Sequence, residues 1–368
     1  MSLSDKLYLH HNRTNTKIDN PETLRQSVMK RIKHIITGWL MITGLVFGQT
    51  GEVTNVGTTA ASFLEIGVGA RAIGMGGAFV ATANDASAMY WNPAGLGFLS
   101  RPEMMFVHVD WLADIDFDFA GAMFPLGQFG TLGASLTSLN MGEMLVRTVD
   151  QPDGTGEFFQ AGDLALQLSY ALPLNQQFSV GMNVKYIYQK IWKETANGFA
   201  VDIGTLYKTG YNGLRIGASL TNFGTDMKLS GEDLLVYHDI DPNIQGNNDR
   251  VFATLETRSW PLPLNFQAGI AMEVMQQENH RITVATEAMH PKNNTESVHA
   301  GFEYAFRELF FLRGGYRNLF LKDSEEGLTL GAGFSTRFLN NLRTTLDYAY
   351  ADFGRLENVH RFAFLIQF

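Results

Sequence analysis

The stretch LALQLSYAL, residues 164–172, alternates strictly between two kinds of side chain. Leu164, Leu166, Leu168, Tyr170 and Leu172 fall on one face of an extended chain, and Ala165, Gln167, Ser169 and Ala171 on the other. Successive Cβ atoms point to opposite faces of a β-strand, so a period of two in hydrophobicity marks a strand that separates two environments. The pattern recurs in SVGMNVKYIYQ (179–189), where Val180, Met182, Val184, Tyr186 and Tyr188 oppose Gly181, Asn183, Lys185, Ile187 and Gln189. It recurs again in LTLGAGFSTRF (328–338), where Leu328, Leu330, Ala332 and Phe334 oppose Thr329, Gly331, Gly333, Ser335 and Arg337. One face is apolar with tyrosines near its ends; the other is small and polar.

A soluble sandwich alternates too, so three further features decide. The alternating runs are about 10 residues long, which suits a tilted membrane-spanning strand better than a globular one. Connectors alternate in length: short turns such as GQFG, NQQ and QQEN follow every second strand, while long connectors, about 20 and 40 residues, follow the third and seventh. About 14 strands fit between residues 102 and 368, an even number, and the asymmetry of the connectors is that of an outer-membrane β-barrel. Finally, the chain ends HRFAFLIQF, with Phe362, Phe364, Ile366 and Phe368 on one face. A bare apolar edge invites aggregation in water, whereas a barrel removes it by pairing the last strand with the first. The expected fold is an all-β transmembrane antiparallel barrel facing outer-membrane lipid, with Leu166, Val184, Leu330 and Leu346 outward. Luminal Gln167 and Asn183 are expected to tolerate a charge.

Composition supports this class. Among 368 residues there are 37 Gly against 10 Pro, aromatics make up 12% and charged residues only 18%. No run of about 18 uncharged apolar residues exists, which excludes a helical polytopic membrane protein. Cysteine is absent, so disulfides and thiolate metal sites are excluded. A net charge of -9 argues against a nucleic-acid partner. Residues 29–48, MKRIKHIITGWLMITGLVFG, place Lys30, Arg31 and Lys33 before an apolar run ending in small residues, the order of a secretory signal peptide. An amphipathic surface helix is the rival reading. Residues 1–28 are polar and unpatterned, and translation is expected to begin at Met29.

Residues 49–101 lack strand alternation. Within them GARAIGMGGAFVATANDASAMYWNPAGL (69–96) is too rich in glycine for an ordinary helix and too apolar for a loop. Asp85 is placed to N-cap a short helix over 86–91. Pro93 disfavours helical geometry at Asn92 and ends it there. Gly74, Gly76 and Gly77 permit close backbone packing, and Gly95 a sharp turn. A compact segment of small and apolar residues ahead of a barrel of about 14 strands has its place in the lumen, as a plug. Asn92 is expected to bond to backbone there, in an Asx-type turn or onto the wall.

The stretch FLEIGVGARAIGMGGAFVATANDASAMYWNPAGL (63–96) resembles the N-terminal signature of the PorV/PorQ family of bacterial outer-membrane proteins. It is more distantly similar to the FadL family of hydrophobic-compound transporters, whose N-terminal hatch carries an Asn-Pro-Ala motif matched by Asn92, Pro93 and Ala94. The C-terminal HRF…F is also similar to PorV, and a terminal Phe resembles the signal read by the barrel-assembly machinery. The resemblance implies a 14-stranded barrel with an N-terminal plug and one of two non-enzymatic jobs. One is binding secreted cargo proteins at a type IX secretion system; the other is passing hydrophobic small molecules inward. The loop 224–261 mixes acidic residues (Asp226, Glu232, Asp233, Asp239, Asp241) with apolar ones, among them Leu234, Tyr237 and Trp260, and suits either a partner surface or a lid.

Other motifs carry less. GVGARA (67–72) mimics a dinucleotide fingerprint but has no βαβ context. DIDPNIQGNNDR (239–250) begins like a calcium loop, yet Ile244 and Arg250 stand where Gly and Glu belong. The nine His show no metal-ligand spacing, and no Gly-x-Ser-x-Gly elbow accompanies the Ser, Asp and His residues. No catalytic residue, metal or cofactor is expected.

Overall fold

The computed structural model describes residues 56–241, 243, 248, 250–321, 324–338 and 342–368. The stretch expected to be a signal sequence, the expected extension before it and parts of the calcium-like stretch lie outside the described residues.

Fourteen antiparallel strands close into a barrel. They are β1 Glu103–Trp111, β2 Ile115–Pro125, β3 Thr131–Leu145, β4 Phe158–Pro173, β5 Phe178–Ile191, β6 Glu194–Lys208 and β7 Arg215–Gly224. The second half comprises β8 Asn265–Gln276, β9 His280–Pro291, β10 Ser297–Phe306, β11 Phe310–Leu319, β12 Leu328–Phe338, β13 Leu342–Asp352 and β14 Asn358–Gln367. Each strand pairs with its neighbours in sequence, and β1 closes the ring on β14 with Phe106 opposite Phe364. The Phe368 N–H donates to the Pro102 carbonyl at 3.0 Å, so the closing seam is paired to the last residue.

The two faces segregate as the alternation requires. Leu166, Val184, Leu330 and Leu346 are exposed outward, while Gln167, Ser169, Asn183 and Lys185 are buried inward. Phe362, Phe364 and Phe368 stand on the outer surface of β14, with Ile366 half-buried beside them. Arg337 shares the inward parity of β12 but is exposed at its end.

Two expectations need correction. The connector after β3 spans only 146–157, because β3 and β4 continue beyond the span as a paired ribbon, Leu145 opposite Phe158. Only the connector 225–264 is long; the others at its end of the barrel are short, down to two residues at 192–193. Nor is the inner face uniformly small and polar. On β1 and β2 it carries Met105, Val107, Val109, Phe117, Phe119 and Met123, all buried in a hydrophobic cluster with residues of the segment preceding β1. Their inner face is apolar because it packs against protein rather than water, while their outer face carries Phe106 and Phe124 together with exposed His108, Asp110, Asp116 and Asp118.

That preceding segment contains a 3-10 turn at Ser62–Glu65, helix α1 Ala70–Gly74, helix α2 Ala88–Trp91 and a 3-10 turn Pro93–Phe98. Replacing outward Leu166 or Val184 by Arg is predicted to destabilise the inserted barrel by about 2–4 kcal/mol, as for a charge near the bilayer midplane. Urea titration of the barrel refolded in lipid vesicles measures this. Leu255→Arg, in the long connector, should leave the midpoint where it is.

Candidate functional site

The segment 61–98 touches the inward side of strands all around the ring. Gly76 donates its N–H to Thr329 Oγ1 of β12 at 3.0 Å, and its carbonyl lies 3.0 Å from His299 Nδ1 of β10. Phe79 and Val80 donate their N–H groups to one carboxylate oxygen of Glu287 on β9, at 2.9 and 2.8 Å. On the other side the Met89 carbonyl accepts from Gln167 of β4 at 2.7 Å and from Asn183 of β5 at 2.9 Å. These bonds satisfy backbone groups that a short irregular segment cannot pair within itself. They also correct the expectation that Gln167 and Asn183 tolerate a charge: both are committed to the segment.

Packing is as close as bonding. At Gly76, φ is +69° and a Cβ would sit 2.6 Å from the Ala300 carbonyl oxygen, so neither the conformation nor the space admits a side chain there. Gly74 lies against the Gly331 backbone of β12; Gly77 has φ +77° while a Cβ there would meet its neighbours only at ordinary contact distance, His299 Nδ1 nearest at 3.6 Å, so its need is conformational. Gly95 packs onto the Ala83 carbonyl.

The Asn-Pro-Ala turn is tied on both sides. Asn92 Oδ1 accepts from the Ala94 N–H at 3.1 Å, closing an Asx turn. Its Nδ2 donates to Val80 O at 2.8 Å within the segment and to Thr205 O of β6 at 3.0 Å. Asn92 is extended, with φ −160°, and α2 ends before it as Pro93 dictates. Asp85 sits differently from expectation. The helix begins at Ala88 rather than 86, and the Asp85 carboxylate accepts from the Ser87 N–H and hydroxyl instead of capping the helix directly. Its other oxygen receives Arg71 at 3.0 Å.

Arg71 opens an ion network that the sequence reading passed over. It donates to Glu303 of β10 at 2.9 Å, and Glu303 also receives Arg313 of β11 at 2.8 Å and Arg281 of β9 at 3.0 Å. Arg313 continues to Asp347 of β13 at 2.6 Å. Burial works against the Arg71 charge, but Glu303 and Asp85 more than offset it and hold its pKa above the usual value. Burial pushes the Tyr90 phenol up; its hydroxyl donates to Leu64 O at 3.0 Å. The signal for this network was present in strand parity, which puts Glu287, Glu303 and Arg313 on inner faces, but parity does not say which luminal charges meet.

In the long connector, Leu235–His238 pairs with Val251–Thr254, setting Tyr237 opposite Phe252 with ring centroids 5.0 Å apart. Tyr237 is 65% exposed and Phe252 71%. Leu234 is half-buried at the base of this hairpin. Trp260 lies in a separate small ladder, opposite Met227, so the three candidate loop residues do not converge on one spot. No cluster of three or more His, Cys, Asp and Glu suited to a metal exists among the described residues.

Residues 49–252 match the family model described as type IX secretion system protein PorV. No curated protein matches the chain. Among solved structures, the CymD monoaromatic hydrocarbon channel is 13% identical, covering 82% of this chain and 97% of that one with a TM-score of 0.50. A deltaS2 mutant of the TodX monoaromatic hydrocarbon channel is 13% identical, covering 82% and 98%, also at 0.50. The toluene transporter TbuX of Ralstonia pickettii is 13% identical over 82% and 97%, with a TM-score of 0.49. At such identity the likeness is one of fold. The family match runs well past residues 63–96 into the barrel and the long connector.

Asn92→Ala strips three hydrogen bonds from buried backbone and is predicted to cost about 1–3 kcal/mol. Glu303→Gln, which leaves three arginines facing a neutral group, should cost more, about 3–5 kcal/mol. Thermal unfolding in detergent, followed by heat-modifiable gel migration, ranks them. Equal midpoints for both variants and the native barrel would contradict the bonding described.

Proposed function

Since the chain belongs to the PorV family of type IX secretion system proteins, we propose that this outer-membrane barrel binds secreted cargo proteins through its long connector. The observation that carries the reading is the hairpin bearing Leu235, Tyr237 and Phe252 side by side on one exposed face. Exposed aromatics clustered on a surface are the usual anchors of a protein interface, and the acidic residues around them would supply its polar rim. The closely packed interior fits this job, because cargo gripped from outside needs no passage through the barrel. In the same reading, the outward face from Phe362 to Phe368 presents the assembly machinery with its recognition signal. The segment 61–98 serves as a plug. No step in this function is enzymatic.

Passage of hydrophobic small molecules is the alternative, and one experiment separates the two. Deleting residues 234–248 should abolish co-purification of secreted cargo while leaving the barrel inserted and heat-modifiable. Asn92→Ala, which loosens the plug, should leave cargo binding nearly intact. If the deletion spares cargo binding and Asn92→Ala instead changes uptake of hydrophobic compounds, the transporter reading stands.

A further inference from the structure

Arg361 is the largest fully buried side chain of the described residues and carries no hydrogen bond on any of its three guanidinium nitrogens. It points inward from β14, between Val109 of β1 and Ala349 of β13 in register, toward the long-connector end of the barrel. One face of the guanidinium is covered by Trp111, whose ring centroid lies 5.3 Å away, and Trp111 packs edge-on against Phe353 at 5.2 Å. The ionisable groups within electrostatic reach are Arg317, Glu326 and Tyr90. Arg317 repels it. Glu326 is already taken, 3.2 Å from Arg317 Nε and accepting Asn318 Nδ2 at 2.7 Å. Tyr90 spends its proton on Leu64 O. Arg317 thus has Glu326 against it and Glu287 within reach, but no carboxylate contacts Arg361, whereas another buried arginine of this wall, Arg313, is held by both Glu303 and Asp347.

An isolated charge taken out of water costs several kcal/mol unless it is paired, and the aromatic face offsets only a small part of this. The planar fork of Arg is built to hold an oxyanion or halide through several N–H groups at once. We propose that Arg361 and Arg317 form an internal anion site, which takes a small monovalent anion, a halide or a carboxylate, between the wall at β14 and the Tyr90 face of the plug. Glu326, 23% exposed on its side chain, is the charged member of this group that solvent reaches most. The bound anion neutralises the unpaired charge of Arg361 and ties the wall to the inner segment, so occupancy stabilises the closed interior.

Crystals of the native barrel soaked in sodium bromide test this directly: an anomalous peak in contact with the Arg361 guanidinium is expected. In solution, the unfolding temperature of the native barrel should rise with the logarithm of bromide or acetate concentration, as for any ligand bound only by the folded state. Arg361→Met should lose that slope beyond the general salt effect common to both proteins, and Arg361→Lys should retain part of it. Absence of the peak, with ordered water alone on the guanidinium, would overturn the proposal. So would equal slopes for native protein and Arg361→Met. If the Met variant fails to insert, the soaked native crystal decides alone.

Discussion

Hydrocarbon offers backbone amides no hydrogen-bonding partner, and everything in this protein follows from having to pair them all. Fourteen strands satisfy each other around a ring, but only if the last meets the first. The seam between β1 and β14 is therefore the decisive contact. It runs along β1 from Glu103 to Asp110 and continues to Phe368, the last residue, which bonds to Pro102 just before β1. Closure then creates a second difficulty. A ring of this size encloses more space than its own inner side chains fill.

The chain fills that space with its own N-terminal residues, which share one buried apolar cluster with the wall. Ile73, Met75, Phe79, Met89 and Trp91 from inside meet Met105, Phe117, Phe119 and Met123 from the wall. Many of the polar groups carried into this interior bind the segment to the wall. Glu287 takes two backbone amides, Asn92 bridges the segment to β6, and Glu303 gathers three arginines. Because these bonds cross from the segment to many different strands, the segment cannot leave without opening several of them together. Outside this interior, the connector 225–264 displays its aromatic pair, Tyr237 and Phe252, to solvent.

Much of this was legible in the sequence. Period-2 alternation places Leu166 and Val184 against lipid, and the terminal apolar run marks the closing strand, because both follow from the geometry of a single strand. Pro93 stops α2 for an equally local reason. What failed were features that depend on partners distant in the chain. Gln167 and Asn183 read as free luminal groups because nothing nearby in sequence shows that the Met89 carbonyl, 78 and 94 positions away, lies against them. The apolar inner face of β1 and β2 breaks strict alternation for the same reason. Asp85 reads as a helix cap, but Arg71 and Ser87 claim its two oxygens, and the helix starts three residues after it.

The central claim is that the inner segment closes the barrel, so that the protein works at its surface. Ion conductance across a planar bilayer containing the purified native barrel tests it most directly. The account predicts no steady open-channel current from the native protein, and discrete, long-lived current steps once residues 61–98 are deleted. Sustained conductance of the native barrel equal to that of the deletion would contradict it.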